Sequence, residues 1–412
     1  GVSSWVHQII RGLPEIKFSM VFLGGDPRHY GQPKYKLPDN VTELQTHYLM
    51  EAGRKLKLRT RPGNAERFHD SRLVHQYFRQ PTTALPDGLL PRFLDSIGSK
   101  DGIQAEDFLL SEAAWNSICE DYHDRCTDPS FLDYFWTVRM MHAPIFKIAD
   151  IARRLPPSRI YHSVSTGYAG LLGAFLHFRT GRPFLITEHG IYTNERRIEV
   201  TSADWLEATS SKALTIDKPR RDLRDMWIDS INNFSRVCYE ASDRIITLFA
   251  GNQAPQIEDG AAIEKMQVIP NGVDIKRFSE LAHRRQATPT IGLIGRVVPI
   301  KDIKTFIRAC GLLRQTAPDL KAYVIDPTDE DNEYYSECLT LVQMLGLERT
   351  ITFTSQAKVD EYLPLLDVLV LTSISEAQPL VILEAGAAGI PIVATDVGSC
   401  REIIEGMVGE TP

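Results

Sequence analysis

The sequence predicts an α/β chain in which two doubly wound domains each carry a parallel sheet. First, its 412 residues suffice for two or three domains with large cores. Second, 43% of the residues are hydrophobic and 24% are charged, which is typical of globular proteins. Third, short apolar runs alternate with helical periodicity in both halves of the chain. Strands that alternate with helices favour parallel sheets.

In the first half, the alternation begins at the amino end and resumes after an irregular stretch. Residues 60–130 are rich in Pro, Asp, Arg and aromatic residues without a clear period, which indicates an irregular helical insertion. The other elements follow from short apolar runs (strands) and from apolar spacing of three and four (helices). The sequence predicts helices at Ser3–Arg11, Gly167–Phe178 and Arg221–Ala241, and strands at Phe18–Phe22, Arg159–Val164, Pro183–Thr187, Arg244–Phe249 and Gln267–Ile269.

A polar segment near residues 280–289 lacks an apolar pattern and marks a boundary. We therefore expect one domain at residues 1–284 and a second domain at residues 285–412. The second alternation has the pattern of a doubly wound fold, in which ligands bind at the carboxyl ends of the strands. It predicts strands at Thr290–Ile294, Ala322–Ile325, Thr350–Thr354, Val368–Leu371 and Pro391–Ala394, and helices at Ile303–Leu313, Glu333–Leu345 and Arg401–Glu405.

Charge and cysteine content exclude several classes of protein. With 46 Lys and Arg against 53 Asp and Glu, the formal net charge is −7, which disfavours nucleic acid as a partner. The six cysteines are scattered without a C-x-x-C pair and are typical of reduced residues in a cytoplasmic protein. Neither a signal peptide nor a membrane span is expected, because the longest uncharged stretch, Tyr161–Phe178, contains several polar residues.

Two glutamates flank the start of one helix near the carboxyl end. Proline suits the first turn of a helix and glycine its end, so Pro379 and Gly389 predict a helix at Pro379–Ala388. Glu376 then precedes this helix and Glu384 lies one and a half turns inside it. The free N–H groups of the helix start lie between them and suit an anion. By spacing alone, the favoured alternative is a surface Glu384 and a Glu376 that complements the helix dipole.

Basic residues follow the first strand of the second half. Arg296 comes directly after Gly295, and Lys301 lies just before the next helix. Positive side chains in a loop at the carboxyl end of a strand suit a diphosphate. Each contributes about 4 kcal/mol at ~4 Å with an effective dielectric constant of ~20, before desolvation. A solvated Arg and Lys on a surface loop fits the local sequence equally well.

The acidic segment Asp326–Asp331 has two interpretations. Asp329 and Asp331 have the spacing to chelate Mg²⁺ or Mn²⁺ on a nucleotide-sugar diphosphate. The same residues can form a turn and cap the helix at Glu333–Leu345. We favour the cap, because Arg296 and Lys301 already supply positive charge and acidic turns are common.

Glu188 and His189 follow a predicted strand and so lie at the rim of the first sheet. A histidine there can donate to a sugar hydroxyl or transfer a proton, although a lone histidine is more often structural. The sequence has no G-x-G-x-x-G, P-loop, H-E-x-x-H or G-x-S-x-G motif. The usual dinucleotide, NTPase, zinc-protease and hydrolase classes, and with them a NAD-dependent dehydrogenase, are therefore disfavoured.

Taken together, these segments resemble the retaining glycosyltransferases of family 4, which have the GT-B fold. The resemblance rests on the E-x7-E spacing of Glu376 and Glu384, on the Arg296 to Lys301 loop, and on PNGVD at the domain junction. The segments GVSSWVHQII, TEHGIYTNERRIEV, DPTDED and SEAQPLVILEAGAAGIPIVATDVGSCREII narrow it to the glycosyltransferases of bacterial Pel exopolysaccharide synthesis. GT-B implies two Rossmann-like domains that face each other across a cleft, and further chain beyond both ends.

The resemblance implies a UDP-sugar donor and a role for each matched residue. Arg296 and Lys301 would bind the donor diphosphate, Glu376 the hexose hydroxyls and Glu384 the ribose hydroxyls. His189 would face the sugar from the opposite wall. The catalytic set is therefore His189, Arg296, Lys301 and Glu376. The remaining substrate-binding positions are Gly1, Ser3, Glu188, Asn271, Ala377, Gln378, Pro379 and Leu380.

The implied reaction is transfer from a UDP-N-acetylhexosamine or UDP-glucose with retention of configuration. No residue is an evident nucleophile for a double displacement, so we favour same-face attack without a cofactor or metal. The implied partners are a polysaccharide acceptor and an inner-membrane synthase and export complex, which would hold the protein at the membrane periphery. Two alternatives are a relative that makes a small glycoside and a non-catalytic UDP-sugar sensor.

Overall fold

The computed structural model describes residues 2–30, 36–50, 61–79, 86–125, 130–202, 222–281, 286–325, 328, 330–354 and 358–406. The chain forms two compact units, residues 1–247 with 253–267, and residues 248–252 with 268–412. The predicted domain limits, 1–284 and 285–412, stay a prediction. In the structure, Phe278 packs with Ile294 and Leu363 in an apolar core of the second unit.

The amino end of the first unit contains helix α1 (Val2–Gly12) and the strands β1 (Phe18–Gly24) and β2 (Val41–Tyr48). The two strands pair in parallel and form a sheet of their own. The sequence predicts α1 and β1. It misses β2, because the run VTELQTHY is mostly polar and no residue of the strand is fully buried.

The predicted insertion is helical, but its helices are regular. A longer helix, Phe131–Arg154, follows directly after it, and Ser130 caps this helix by accepting a hydrogen bond from Asp133 N at 3.2 Å. Ile148 of that helix shares one apolar core with Leu90 and Leu171, so the insertion is packed into the unit. The five helices are α2 (Ala65–Arg79), α3 (Leu89–Ser96), α4 (Ala105–Leu110), α5 (Glu112–Arg125) and α6 (Phe131–Arg154).

The rest of the first unit builds a four-stranded sheet in the order β3-β4-β5-β6, and β4 pairs in parallel with both β3 and β5. Asp222 forms a capping box with Asp225 at the start of α9, close to the predicted helix start at residue 221. The sequence misses α8, whose residues are mostly polar. The elements are β3 (Tyr161–Ser163), α7 (Gly167–Thr180), β4 (Phe184–Glu188), α8 (Tyr192–Ser202), α9 (Leu223–Ala241), β5 (Arg244–Thr247), α10 (Gln253–Glu258) and β6 (Met266–Val268).

The second unit is a doubly wound domain. Its five strands lie in the order β11-β10-β7-β8-β9, and every neighbouring pair is parallel. All five residues of β7 are buried at the centre of this sheet. The elements are α11 (Ile275–Ser279), β7 (Thr290–Ile294), α12 (Ile303–Leu313), β8 (Lys321–Ile325), α13 (Asn332–Met344), β9 (Ile351–Thr354), α14 (Val359–Tyr362), β10 (Val368–Leu371), α15 (Leu380–Ala387), β11 (Ile392–Ala394) and α16 (Cys400–Glu405).

Five cysteines lie in the described part of the chain, and all five are free thiols. Four of them are buried, namely Cys238, Cys310, Cys338 and Cys400, which fits the expectation of reduced core residues. Within the described ranges, no helix combines the length and the apolar character that crossing a bilayer requires.

Candidate functional site

The candidate site of the second unit lies where β7 and β10 end. These neighbouring strands pair in parallel, with Val368 opposite Ile291. Strand order reverses there, because β7 continues to β8 on one side and β10 to β11 on the other. Open α/β sheets bind ligands at such a switch point, outside the carboxyl ends of the strands. The two loops that follow these strands carry most of the predicted donor-binding residues.

Lys301 and Glu376 meet at this edge of the sheet. The Lys301 ammonium contacts Glu376 Oε1, and Ser373 Oγ donates a hydrogen bond of 2.6 Å to the same oxygen. The two charged side chains are 18% and 12% exposed, so water screens their attraction only partly. The structure thus brings two residues into direct contact: Lys301, predicted to bind the donor diphosphate, and Glu376, predicted to bind the hexose.

Backbone contacts hold the two loops together. Thr372 Oγ1 lies 3.0 Å from the carbonyl oxygens of both Lys301 and Asp302. Ile374 N donates to Ile300 O at 2.9 Å. Asp302 caps α12 by accepting from Thr305 N at 3.2 Å. Lys301 is therefore held on one side by contacts with the loop after β10 and on the other side by the capped start of α12.

Helix α15 starts four residues after Glu376, close to the start that the sequence predicts. It spans Leu380–Ala387 against a predicted Pro379–Ala388, a difference of one residue at each end. Gly389 adopts a φ of 71°, the left-handed conformation that ends many helices. The amide groups of Leu380 and Val381 belong to its first turn, where an anion is favoured.

Gly398 makes room for the backbone that carries Glu376. A Cβ atom at this position would lie 2.2 Å from Glu376 O and 2.5 Å from Ala377 O, and its φ is 57°. Ser399 N donates to Ala377 O at 2.8 Å. The buried Ala377 is thereby held in place from behind. The sequence does not predict this role for Gly398, which is distinguished there only as a glycine after the last strand.

Asn271 and Gln378, both predicted substrate ligands, contact each other. Gln378 Oε1 accepts from Asn271 N at 2.6 Å, and Gln378 O accepts from Asn271 Nδ2 at 3.4 Å. Within the described part of the chain, the buried Asn271 Oδ1 has no hydrogen-bond partner. A buried acceptor of this kind costs free energy until a donor reaches it. It is therefore free to accept from a ligand or from water.

Glu384 lies partly buried on α15. Burial raises the pKa of Glu384, and the positive charge of Arg277 on α11 opposes this rise. Arg277 itself forms a bidentate ion pair with Asp360, with two contacts of 2.7 Å. Glu384 is thus a desolvated carboxylate near a cation that another residue already engages. The sequence does not predict that Arg277 lies near Glu384.

Arg296 does not join the Lys301 and Glu376 contact in this structure. Its Nη1 lies 2.5 Å from Glu330 Oε1, and both side chains are about half exposed. Asp331 caps α13 by accepting from Tyr334 N at 2.9 Å, so the capping interpretation of this acidic segment is confirmed at Asp331. Asp326 and Asp329 lie outside the described residues.

In the first unit, Glu188 is the last residue of β4, at the predicted rim of the sheet, and it is buried there. Its side chain is 0% exposed, so it does not reach a ligand in this conformation. Burial raises the pKa of Glu188, although its hydrogen bonds favour the ionised form. The carboxylate accepts from Thr166 Oγ1 at 3.2 Å, Tyr192 N at 3.4 Å, Tyr239 OH at 2.5 Å and Gln256 Nε2 at 2.7 Å. Glu188 therefore joins three helices to the end of β4.

His189 lies beside this network and packs against Trp5 of α1. The two rings meet edge to face with centroids 4.5 Å apart. Burial lowers the pKa of His189 to about 4. Its Nε2 is buried and, among the residues described, has no hydrogen-bond partner. The segment after it is held by a hydrogen bond from Thr193 to the largely buried Asp259.

The remaining predicted positions are less informative. Ser3 lies exposed in α1, and Gly1 falls outside the described residues. His162 was not predicted; its ring contacts Trp5 edge to face at 6.1 Å, and its Nε2 lies 2.8 Å from Thr187 Oγ1. Trp5 and His162 carried no local motif, because only the packing of α1 on the strand ends brings them to His189.

Two family models match the chain. The model described as Glycosyl transferases group 1 matches residues 275–408, so this part of the chain has the sequence pattern of a group 1 glycosyltransferase domain. The model described as Domain of unknown function (DUF3492) matches residues 1–264, well over half of the chain, so the chain belongs to that family. The parallel sheets of both units and the group 1 domain confirm the predicted α/β, GT-B fold class with two Rossmann-like domains.

Curated relatives are glycosyltransferases. D-inositol 3-phosphate glycosyltransferase of Paenarthrobacter aurescens is 30% identical over 165 residues, 36% of this chain and 40% of that protein. Its namesake from Pseudarthrobacter chlorophenolicus is 26% identical over 286 residues, 66% of this chain and 63% of that protein. MMP alpha-(1->4)-mannosyltransferase of Mycolicibacterium hassiacum is 26% identical over 231 residues, 55% and 51% of the two chains. This chain spans less than two thirds of each relative.

Solved structures also resemble the chain. HepE of Anabaena, in complex with UDP-glucose, has a TM-score of 0.48 and 17% identity, and the match covers 93% of this chain and 82% of HepE. Sucrose-phosphate synthase from Thermosynechococcus elongatus has a TM-score of 0.47 and 18% identity, with 64% and 63% of the two chains covered.

The Glu188 network predicts different outcomes for two substitutions. Glu188→Ala leaves four buried donors without an acceptor, so we expect the free energy of unfolding to fall by about 3 kcal/mol or more. Glu188→Gln should cost less than about 2 kcal/mol, because Gln256 can rotate its amide and offer Oε1, a buried atom with no partner in the described ranges. Urea unfolding measures both. Glu240→Ala, an exposed carboxylate of α9, is the control, and equal losses for both Glu188 variants would contradict this account.

His189 should stay neutral through the physiological range. We expect its imidazole signals to titrate with a midpoint near pH 4 in an NMR titration, since burial lowers its pKa to about 4. His189→Gln identifies the signals. Trp5→Ala removes the ring that shields the imidazole, so its midpoint should move up towards ~6.5. A wild-type midpoint of ~6 or above would show that the imidazole is not desolvated.

Proposed function

We propose that the chain is a retaining glycosyltransferase that uses a UDP-sugar, either a UDP-N-acetylhexosamine or UDP-glucose. More narrowly, we propose a PelF-type enzyme that builds the Pel exopolysaccharide of the biofilm matrix. The observation that carries the proposal is the contact of Lys301, Glu376 and Ser373 at the switch point of a group 1 glycosyltransferase domain. An anion-binding helix start lies directly beyond it.

In this proposal, the donor diphosphate binds between the loop after β7 and the start of α15. Lys301 and the amide groups of Leu380 and Val381 supply positive charge from fixed backbone positions. Arg296 supplies more by leaving Glu330, and an exposed ion pair of this kind contributes only about 0–1 kcal/mol, so exchanging it costs little. Glu384 then accepts from the ribose hydroxyls, and its desolvation strengthens these hydrogen bonds.

The hexose would lie against Glu376 and the backbone of Ala377. Asn271 Oδ1, a buried atom without a partner among the described residues, suits a hydroxyl group of the hexose. In the first unit, His189 Nε2 is likewise buried without a partner among the described residues and suits a hydroxyl group of a substrate. A neutral imidazole can accept or donate there without adding charge. Both groups are held by neighbours before substrate arrives, which limits the entropy lost on binding.

The chemical step that we propose is same-face attack by the acceptor hydroxyl, which forms the new glycosidic bond as the bond to UDP breaks. The leaving phosphate oxygen takes the acceptor proton, and Lys301, Arg296 and the helix start stabilise its developing charge. Because these groups are cationic or carry partial positive charge, the proposal requires neither a divalent cation nor a cofactor. The proposed partners are a polysaccharide acceptor and an inner-membrane synthase and export complex, with the protein otherwise cytoplasmic.

A second candidate is a transferase that makes a small glycoside. The names of two relatives, which contain D-inositol 3-phosphate, favour a small phosphorylated acceptor. Sizing of the product from labelled donor separates the two candidates, since one gives a polymer and the other a compound of one or two sugar units.

Calorimetry of UDP, UDP-glucose, UDP-N-acetylglucosamine and UDP-N-acetylgalactosamine, with Mg²⁺ or EDTA, tests the proposed donor. We expect UDP and one or two UDP-sugars to bind equally well under both conditions. Loss of binding in EDTA would overturn the metal-free mechanism. UDP binding without donor hydrolysis or transfer to any acceptor would instead support a UDP-sugar sensor.

Removal of either donor cation should lower turnover more than stability. We expect Arg296→Ala and Lys301→Ala each to reduce kcat at least about 100-fold, because each removes positive charge from the leaving diphosphate. The controls are Lys304→Ala and Arg401→Ala, which remove cations from the exposed-surface ion pairs with Glu337 and Asp396. Unchanged turnover in both site variants, measured with labelled donor, would sink the assignment.

Glu384→Ala should weaken the binding of UDP but not of pyrophosphate. A hydrogen bond to a charged group contributes about 1.5–3 kcal/mol, so we expect the Kd of UDP to rise roughly tenfold to 100-fold. Pyrophosphate lacks the ribose and should bind as in wild type, whereas Lys301→Ala should weaken both ligands. Parallel loss of pyrophosphate affinity in Glu384→Ala would indicate a general disturbance of the site. Calorimetric competition measures the affinity of each ligand for the wild-type chain and for both variants.

A further inference from the structure

The helical insertion of the first unit contains an open cavity far along the chain from the donor-binding residues. Its volume is about 340 Å³, and its walls come from α4, α5 and α6. Six of the nine residues that line it are apolar, namely Phe108, Leu109, Leu110, Trp115, Ile118 and Phe135. Pockets for small molecules have volumes of about 300–1,000 Å³ and are mostly apolar with a few polar groups. The cavity fits that description.

Trp115 is the most exposed of these apolar residues, yet it is held in one orientation. Half of it is exposed to solvent, at 50%. Its ring meets Phe131 edge to face at 5.5 Å and Phe135 at 5.8 Å. A fixed and exposed indole offers apolar area to a ligand without the entropy cost of ordering a flexible side chain.

Polar groups accompany the aromatic walls. The Arg139 guanidinium stacks on Phe135 at 4.3 Å and donates a hydrogen bond to Leu109 O. Its buried Nε has no partner in the described part of the chain. Glu112 lines the cavity from the first turn of α5 and is exposed. The cavity therefore presents an aromatic surface with a donor and an acceptor beside it.

We propose that this cavity binds one hexose unit of a saccharide chain, the acceptor or product of the enzyme. A pyranose ring has apolar C–H faces and a rim of hydroxyl groups. The faces match Trp115 and Phe135, and the hydroxyls match Glu112 and Arg139. The inference rests on the proposed function and assigns the insertion a role in it, which is to bind the growing polymer.

A neighbouring surface of α6 has different chemistry and serves as a comparison. Leu132, Trp136 and Met140 follow one another at a spacing of four and are 63%, 53% and 55% exposed. Residues at this spacing share one helix face. Two of the three are aliphatic, and none of them lines the cavity.

The test is calorimetry of the full chain with tetramers of N-acetylglucosamine, N-acetylgalactosamine and glucose, at saturating UDP. UDP occupies the proposed donor site, so the heat reports binding elsewhere. We expect at least one tetramer to bind wild type. Trp115→Ala should weaken it at least tenfold and Glu112→Ala severalfold, whereas Leu132→Ala should leave it unchanged. UDP affinity should be that of wild type in all three variants.

The outcomes separate this proposal from the proposed function. Equal tetramer affinity in the Trp115→Ala, Glu112→Ala and wild-type chains would overturn the proposal that the cavity binds a saccharide. Binding of UDP without binding of any tetramer would also overturn it. If neither UDP nor a tetramer binds, both proposals fall. Vesicles of phosphatidylethanolamine and phosphatidylglycerol form a further arm, and loss of vesicle binding in Trp115→Ala without tetramer binding would make the cavity a lipid-facing surface. Should Trp115→Ala fail to fold, as judged by circular dichroism, the exposed Glu112→Ala decides the result.

Discussion

The parallel pairing of β7 with β10 is the constraint on which the candidate donor site depends. Backbone hydrogen bonds between these strands fix where both of them end, and their order fixes that the loops beyond them diverge. Lys301 and Glu376, 75 residues apart in the chain, meet only for this reason. Thr372 and the Asp302 cap then fix the loops against each other. The pairing of the two strands therefore determines where the residues of the site lie relative to one another.

Three carboxylates show how the surroundings assign different work to one functional group. Glu188 is buried among four donors and holds elements together. Glu376 is paired with a cation that a diphosphate would compete for. Glu384 is partly desolvated, and its nearest cation is engaged with Asp360, so it has acceptor capacity left for a ligand. Residue type alone does not distinguish these three roles, whereas burial and partners do.

Sequence reasoning succeeded where the signal is local. Pro379 and Gly389 delimit α15 because they act on their own turn, and Asp331 caps α13 by accepting from Tyr334 N, three residues along the chain. It failed where the signal is a packing partner far along the chain. Glu188 lies at the end of β4, as expected, but its position in the sequence does not reveal that Tyr239 and Gln256 surround its carboxylate. The strand β2 and helix α8 were missed because mostly polar sequences lack the apolar period on which such predictions rest.

Asp302 shows a tension between stability and placement at the heart of this site. Among the described residues, it is the one non-glycine residue with a positive φ, 44°, and a left-handed conformation of this kind costs an ordinary residue about 1 kcal/mol or more. Glycine would relieve the strain but would lose the cap on α12. Asparagine tolerates the same conformation and can still cap. The position therefore admits a very short list of side chains, and selection for a more stable enzyme has little freedom beside Lys301.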